Sequence, residues 1–222
     1  MGIKLNFSQI INVIHAIVWA ITLYLIFVWS PIDTSIGITQ KIFYFHVPVA
    51  WLGMLAVIGV GIASLIFLIT KNYYWDDLAF SFAQTGIIFA SLIIVTGALW
   101  AKPVWGVWWT WDPKLTTSLI MLLMYIGYLM LRAYASNPKQ GATFASVLGI
   151  ISFINVPIVY MASVWWRTVH PEMIIGPLKE SDAGLTASMG FILVYSTFAI
   201  TVLCVFLLIR RFQLRTMEEL IK

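Results

Sequence analysis

The sequence predicts an all-α integral membrane protein built as a bundle of six transmembrane helices. Composition is the first reason: 61% of the 222 residues are hydrophobic and 10% are charged, where a soluble domain carries about 25% charged residues. The second is segmentation. Six apolar stretches, at 10–29, 47–70, 78–100, 115–135, 143–164 and 186–209, each suit the ~20 residues that a helix needs to cross the hydrocarbon core. The third is what these stretches lack. None places Asp, Glu, Lys or Arg well inside its span. A backbone in lipid must satisfy its own hydrogen bonds, and strands would need an alternation of polar residues that is absent here.

Taken in order, the first segment follows Lys4 with no small-residue cleavage site and reads as an uncleaved anchor. It carries His15 one turn after Asn12, which fits a hydrogen-bonded core histidine. The second opens at Val47-Pro48, with His46 at its outer mouth on the preceding loop. The third ends at Trp100. The fourth begins after Asp112-Pro113, an N-cap residue followed by the proline favoured at the first helical position. Pro157 in the fifth frees a carbonyl and predicts a kink. The connections at 71–77 and 136–142 are short, with Asn72 and Asn137-Pro138 as breakers. The whole reads as a single membrane domain, 1–222, with 101–114 as an outward tryptophan-rich loop.

Orientation follows the basic residues beside the spans. One side collects Lys4, Lys71, Arg132, Lys139, Arg210, Arg211, Arg215 and Lys222; the other collects Lys41, Lys102, Lys114, Arg167 and Lys179. The larger group, with its cluster after the last span, predicts cytoplasmic termini. The three longer connections, 30–46, 101–114 and 165–185, then face outward together. They hold every constellation of interest.

Several functions are excluded. The single Cys204 forms no intramolecular disulfide, and no C-x-x-C-H stretch exists for covalent haem attachment to the chain itself. There is no glycine-rich phosphate loop, so nucleotide hydrolysis must come from elsewhere. The spans offer no ionisable relay of the kind that transporters use. A scattered net charge of +4 gives no nucleic-acid footprint. Glu172, Glu180 and Asp182 read as a solvated loop.

Between Trp105 and Asp112 the chain reads Trp105-Gly106-Val107-Trp108-Trp109-Thr110-Trp111-Asp112. Trp19, Trp29, Trp51 and Trp75 fit the aromatic belt of membrane interfaces. The dense run fits either a belt or a platform for a flat apolar ligand. Trp105, Trp108 and Trp109 would share one face of a short helix, and Gly106 would permit close approach of a ligand. His46 and His170 lie on outward connections. They read either as structural membrane-edge histidines or as an axial pair for haem iron. Haem propionates would need cations. Arg167, three residues before His170, is the first candidate because its fork binds a carboxylate bidentately; Lys102, Lys114 and Lys179 follow. The plain alternative is that these cations snorkel to the interface.

Trp105-Gly106, Trp109 and Trp111-Asp112, with His46 and His170 in flanking outer loops, resemble the "WGxxWxWD" pattern of the tryptophan-rich haem-handling proteins of cytochrome c biogenesis. Six spans with that pattern between the third and fourth resemble the C-protein (CcmC) family of the cytochrome c maturation system. The resemblance implies a multi-pass protein of the bacterial inner membrane or of mitochondria that holds haem b non-covalently at the outer, periplasmic face. It implies His46 and His170 as the iron's axial ligands. Trp105, Trp109, Trp111 and Asp112 would form the haem platform and docking surface, beside Trp108 from the one-face reading above. The implied task is delivery rather than enzymatic turnover: presentation of haem to a membrane-anchored, CcmE-like haem chaperone. Further implied partners are a CcmA/CcmB-like ABC transporter pair and a small CcmD-like subunit. A haem-conducting transporter subunit and a transmembrane electron-transfer cytochrome stay open as alternatives.

Overall fold

The computed structural model describes residues 7–166, 168–171 and 185–221. Among them run six helices long and apolar enough to cross a membrane. These are α1 (Phe7–Tyr24), α2 (Phe43–Thr70), α3 (Tyr73–Trp105), α4 (Pro113–Tyr134), α5 (Pro138–Trp165) and α6 (Ala187–Ile221). A π-helical turn, Leu25–Trp29, prolongs α1, and a 3-10 turn, Ile38–Ile42, leads directly into α2. No strand occurs among the described residues, only an isolated bridge between Asp33 and Gly37.

The starts of three helices are written in their caps. Asn72 accepts from the Tyr74 amide, Asn137 from Lys139, and Asp112 from Lys114 and Leu115; each satisfies amides that have no partner within the helix. Pro113 and Pro138 occupy the first helical position, where a missing N–H costs nothing. Two boundaries differ from the expectation. First, α2 begins at Phe43, four residues before Val47, because the 3-10 turn feeds straight into it. His46 is therefore helical rather than on a loop, and Pro48 lies inside the helix. Second, α3 continues through Lys102 and Pro103 to Trp105, so the open loop is only 106–112. Likewise α5 runs without interruption through Pro157.

Helix α2 is the hub, packed on α3, α5 and α6, while α4 packs mainly on α5. Small residues allow this closeness. Tyr125 of α4 occupies the place that a side chain at Gly86 would fill, and its hydroxyl donates to the Gly53 carbonyl of α2 at 3.1 Å. Helix α1 turns Ile14, Ile17 and Ile21 outward, as a helix against lipid does. Helices α3 and α6, of 33 and 35 residues, reach about 50 Å and so exceed the ~30 Å hydrocarbon core.

At the end of the bundle where α3 begins and α4 stops, Arg132 grips Asp76 with both arms of its guanidinium. Asp76 is 2% exposed and Arg132 10%. Beside them Arg215 of α6 donates to Asp77 at 2.8 Å. Both guanidinium groups lie over the Phe80 ring, 4.6 and 5.3 Å from its centroid. This network joins three helices through charge-assisted hydrogen bonds and cation–π contact. Substituting Asp76→Ala should cost about 3–5 kcal/mol, because it leaves the Arg132 charge buried without its counter-ion. A lowered unfolding midpoint in detergent reads this out. The double variant D76A/R132A should lose less than the two single losses combined.

Candidate functional site

A cavity of about 540 Å³ opens at the opposite end, where α2 and α4 begin and α3 and α5 stop. Its volume falls within the range typical of small-molecule sites. Most of its wall is apolar, supplied by residues such as Trp51, Met54, Ile93, Ala98 and Leu115. Polar groups interrupt it at a few points. Among them, His46 comes from the first turn of α2, His170 from the segment after α5, Lys114 from the start of α4 and Tyr160 from α5.

Both imidazoles are oriented through Nδ1. His170 Nδ1 lies 2.9 Å from the Pro171 carbonyl; a carbonyl only accepts, so Nδ1 carries the proton. His46 Nδ1 lies 2.9 Å from the Thr96 hydroxyl of α3. Burial against the cavity wall lowers the pKa of His170 to about 4, with the Lys114 ammonium adding to the effect; the bond to Pro171 and the Asp112 carboxylate oppose it. His170 is therefore neutral at pH 7, the form whose Nε2 lone pair can ligate a metal.

The tryptophans separate into two groups. Trp105, at the last turn of α3, and Trp109 line the cavity, whereas Trp108 and Trp111 do not. Trp108 is 56% exposed and Trp111 76%. The expected common face of Trp105, Trp108 and Trp109 is absent, because the helix stops at Trp105. Gly106 stops it: with φ at 78° it forms the left-handed C-cap, its amide donating to the Lys102 carbonyl. The positive φ makes glycine the residue this turn requires, and no described atom lies within 4 Å of a side chain built there. Trp100 packs edge-on against Trp105, and Trp111 against Trp109.

Asp112 is buried and does not line the cavity. One oxygen caps α4, accepting from Lys114 N at 2.9 Å and Leu115 N at 3.4 Å. The other accepts from Val169 N at 2.9 Å. The tryptophan loop is thus tied to the residue beside His170. Among the candidate cations, Lys114 faces the cavity and donates to Ser163 Oγ at 3.3 Å. Lys102 instead donates to the Gly106 carbonyl at 2.9 Å and braces the loop. Arg167 and Lys179 lie outside the described residues, as do Glu172, Glu180 and Asp182. His15 packs on Phe206 of α6, its Nδ1 bonded to the Ile11 carbonyl.

Sequence reasoning passed over several cavity residues. Tyr160 Oη and Gln40 Oε1 are buried without hydrogen-bond partners, as is Nε1 of the expected Trp109, and all three residues line the cavity. Asp33 lines it too, with Ser35 and the Ile36 amide holding its carboxyl below the usual range. Single polar residues scattered among apolar ones give no sequence signal. Among the described residues no three His, Cys, Asp or Glu side chains gather to hold a bare metal ion. Two imidazoles on an apolar cavity instead suit a metal that arrives with most of its ligands in place.

The double duty of Asp112 is separable. Asp112→Asn keeps an oxygen for the two capping bonds but turns an NH2 toward Val169. Hydrogen exchange should therefore quicken at Val169 while Lys114 and Leu115 stay protected. Asp112→Ala should expose all three amides and cost about 1 kcal/mol for the cap alone. Equal protection in D112N and the unmodified protein would exclude the tether.

The heme exporter protein C family model matches residues 2–222. The Bradyrhizobium diazoefficiens heme exporter protein C is 36% identical over 176 residues, covering 79% of this chain and 66% of that protein. The Haemophilus influenzae heme exporter protein C is 30% identical over 203 residues, covering 91% and 79% respectively. A Marchantia polymorpha protein described as a putative cytochrome c biosynthesis ccmC-like mitochondrial protein is 32% identical over 181 residues, covering 82% and 77%. With a match across essentially its whole length and the cavity just described, the chain belongs to the heme exporter protein C family.

Proposed function

We propose that this chain binds haem b, non-covalently and as cargo, at the outer face of the inner membrane. From there it presents the haem to a membrane-anchored chaperone for maturation of c-type cytochromes. The observation that carries this reading is the meeting of His46 and His170 on one largely apolar cavity, each with Nδ1 engaged. Nε2 of each is then the nitrogen for axial ligation of the iron. Trp105 and Trp109 supply apolar wall for the macrocycle. Covering it against indoles contributes several kcal/mol, at roughly 25 cal/mol per Å².

Lys114, Tyr160 Oη and Trp109 Nε1 are the cavity groups suited to the propionates: one ammonium and two buried donors without partners. The proposal keeps Arg167 as a further propionate partner from its place three residues before His170. Trp108 and Trp111, exposed on the same loop, form the chaperone-docking surface. Asp112 holds platform and His170 segment in register. The ABC transporter pair supplies the nucleotide site for which this sequence offers no phosphate loop, and a small single-span subunit is a further partner. Presentation is favoured over electron transfer across the bilayer by the third histidine. His15 lies on α1, away from the cavity, and the chain has only three histidines, so there is no second pair of histidines.

The chain purified in detergent should carry haem with a bis-imidazole absorption spectrum. His46→Ala together with His170→Ala should abolish that spectrum and most of the haem content; unchanged content and bands would overturn the ligand assignment. Trp111→Ala should leave haem content intact and slow haem transfer to the purified chaperone. Unimpaired transfer would remove Trp111 from the docking surface.

A further inference from the structure

The seat of His46 contains a residue that does not itself line the cavity. Thr96 Oγ1 lies 2.6 Å from the Leu92 carbonyl, 3.5 Å from the Ile93 carbonyl and 2.9 Å from His46 Nδ1. A threonine hydroxyl has one proton and two lone pairs, and a carbonyl oxygen has no proton to give. If the hydroxyl donated to His46, two acceptor oxygens would face each other at 2.6 Å with nothing between them. The proton therefore goes to Leu92, and Oγ1 accepts from Nδ1–H of the imidazole. The next residue completes the seat: a side-chain carbon at Gly97 would stand 3.4 Å from His46 Cε1, so the ring edge lies along the α3 backbone at 96–97. Thr96 is absent from the cavity lining whereas His46 and Gly97 belong to it.

We propose that Thr96 is a positioning residue that fixes His46 as its Nδ1–H tautomer and leaves Nε2 for the iron. The inference deepens the proposed haem site and rests on that reading for its consequence, though not for the tautomer itself. A ligating histidine whose other nitrogen donates to a neighbour is held in one rotation and becomes a better ligand. Here the acceptor is a neutral hydroxyl already committed to its own helix. It orients the ring without the strong pull of a carboxylate, which suits a ligand that must later be given up.

Two measurements test this, one with haem and one without. In the haem-free protein, nitrogen chemical shifts of labelled histidine are tractable because there are three histidines, and His46→Gln assigns the relevant signals. The unmodified protein and Thr96→Ser should show a protonated Nδ1 at His46. Thr96→Val, of similar shape but without the acceptor, should shift the ring toward the Nε2–H form. With haem, Thr96→Val should weaken binding by about 10–100-fold and shift the reduction potential, with Thr96→Ser close to the unmodified protein. A predominantly Nε2–H ring in the unmodified protein, or a valine variant with unchanged nitrogen shifts, overturns the inference. A serine variant that fails as badly as valine overturns it as well. A chain that takes up no haem would sink the functional proposal, while the haem-free measurement still decides the role of Thr96.

Discussion

One carboxylate organises the cavity end of this bundle. Asp112 accepts from three backbone amides, two at the start of α4 and one at Val169. Without such an acceptor the first amides of α4 would lose their cap, and the segment bearing His170 would lose this tie to the start of α4. Hydrogen bonds to a charged acceptor are worth about 1.5–3 kcal/mol each, more than one neutral contact could supply. The loop is fixed at its other end as well. Gly106 closes α3 in the left-handed conformation, and Lys102 reaches back to the Gly106 carbonyl. Seven residues held at both ends expose Trp108 and Trp111 while Trp109 turns into the wall. The division of labour among the tryptophans is a consequence of these two anchors.

Much of the fold was legible because lipid allows few solutions. Six apolar runs, each flanked by a capping residue or a break, become six helices. Asn72, Asn137 and Asp112 cap where local chemistry says they should. What misled were residues that mark ends in water. Lys102 and Pro103 look like a stop after Trp100, yet α3 passes through both, because the lysine finds a carbonyl acceptor one turn on. Val47-Pro48 looks like a helix start, yet the 3-10 turn at 38–42 delivers the chain already wound. The Asp76–Arg132 pair was hidden for a different reason. Its partners are 56 residues apart, and each alone reads as an ordinary charge at a membrane edge.

The site was legible in its unusual residues and opaque in its ordinary ones. Two histidines and a tryptophan run stand out in any apolar sequence, and the structure places both histidines, Trp105 and Trp109 on one cavity. Thr96, Tyr160 and Gln40 do not stand out. A threonine or tyrosine within an apolar helix is read as a spacer, and only tertiary structure shows whose atom its hydroxyl meets. The cations needed the same information: Lys102 and Lys114 are equivalent in sequence, but one braces a loop and the other faces the cavity.

The two imidazoles are held by means of different strength, and that difference matters if the cavity holds haem as cargo, as proposed. His46 sits in the first turn of α2, its Nδ1 on Thr96 and its ring along the α3 backbone. Displacing it means unwinding a helix start packed on its neighbour. His170 lies outside any helix. Its segment is tied to the start of α4 by the Val169–Asp112 hydrogen bond. Breaking that bond costs about 1.5–3 kcal/mol, an amount that a docking partner can supply, since a partner shifts an equilibrium only by its differential affinity for the two states. Because Asp112 also terminates the tryptophan loop, a partner that binds exposed Trp108 and Trp111 pulls on the same carboxylate that restrains His170. Under the proposed haem-presenting function, docking and release of the His170 ligand would thereby be coupled through one side chain, with His46 the ligand retained longer.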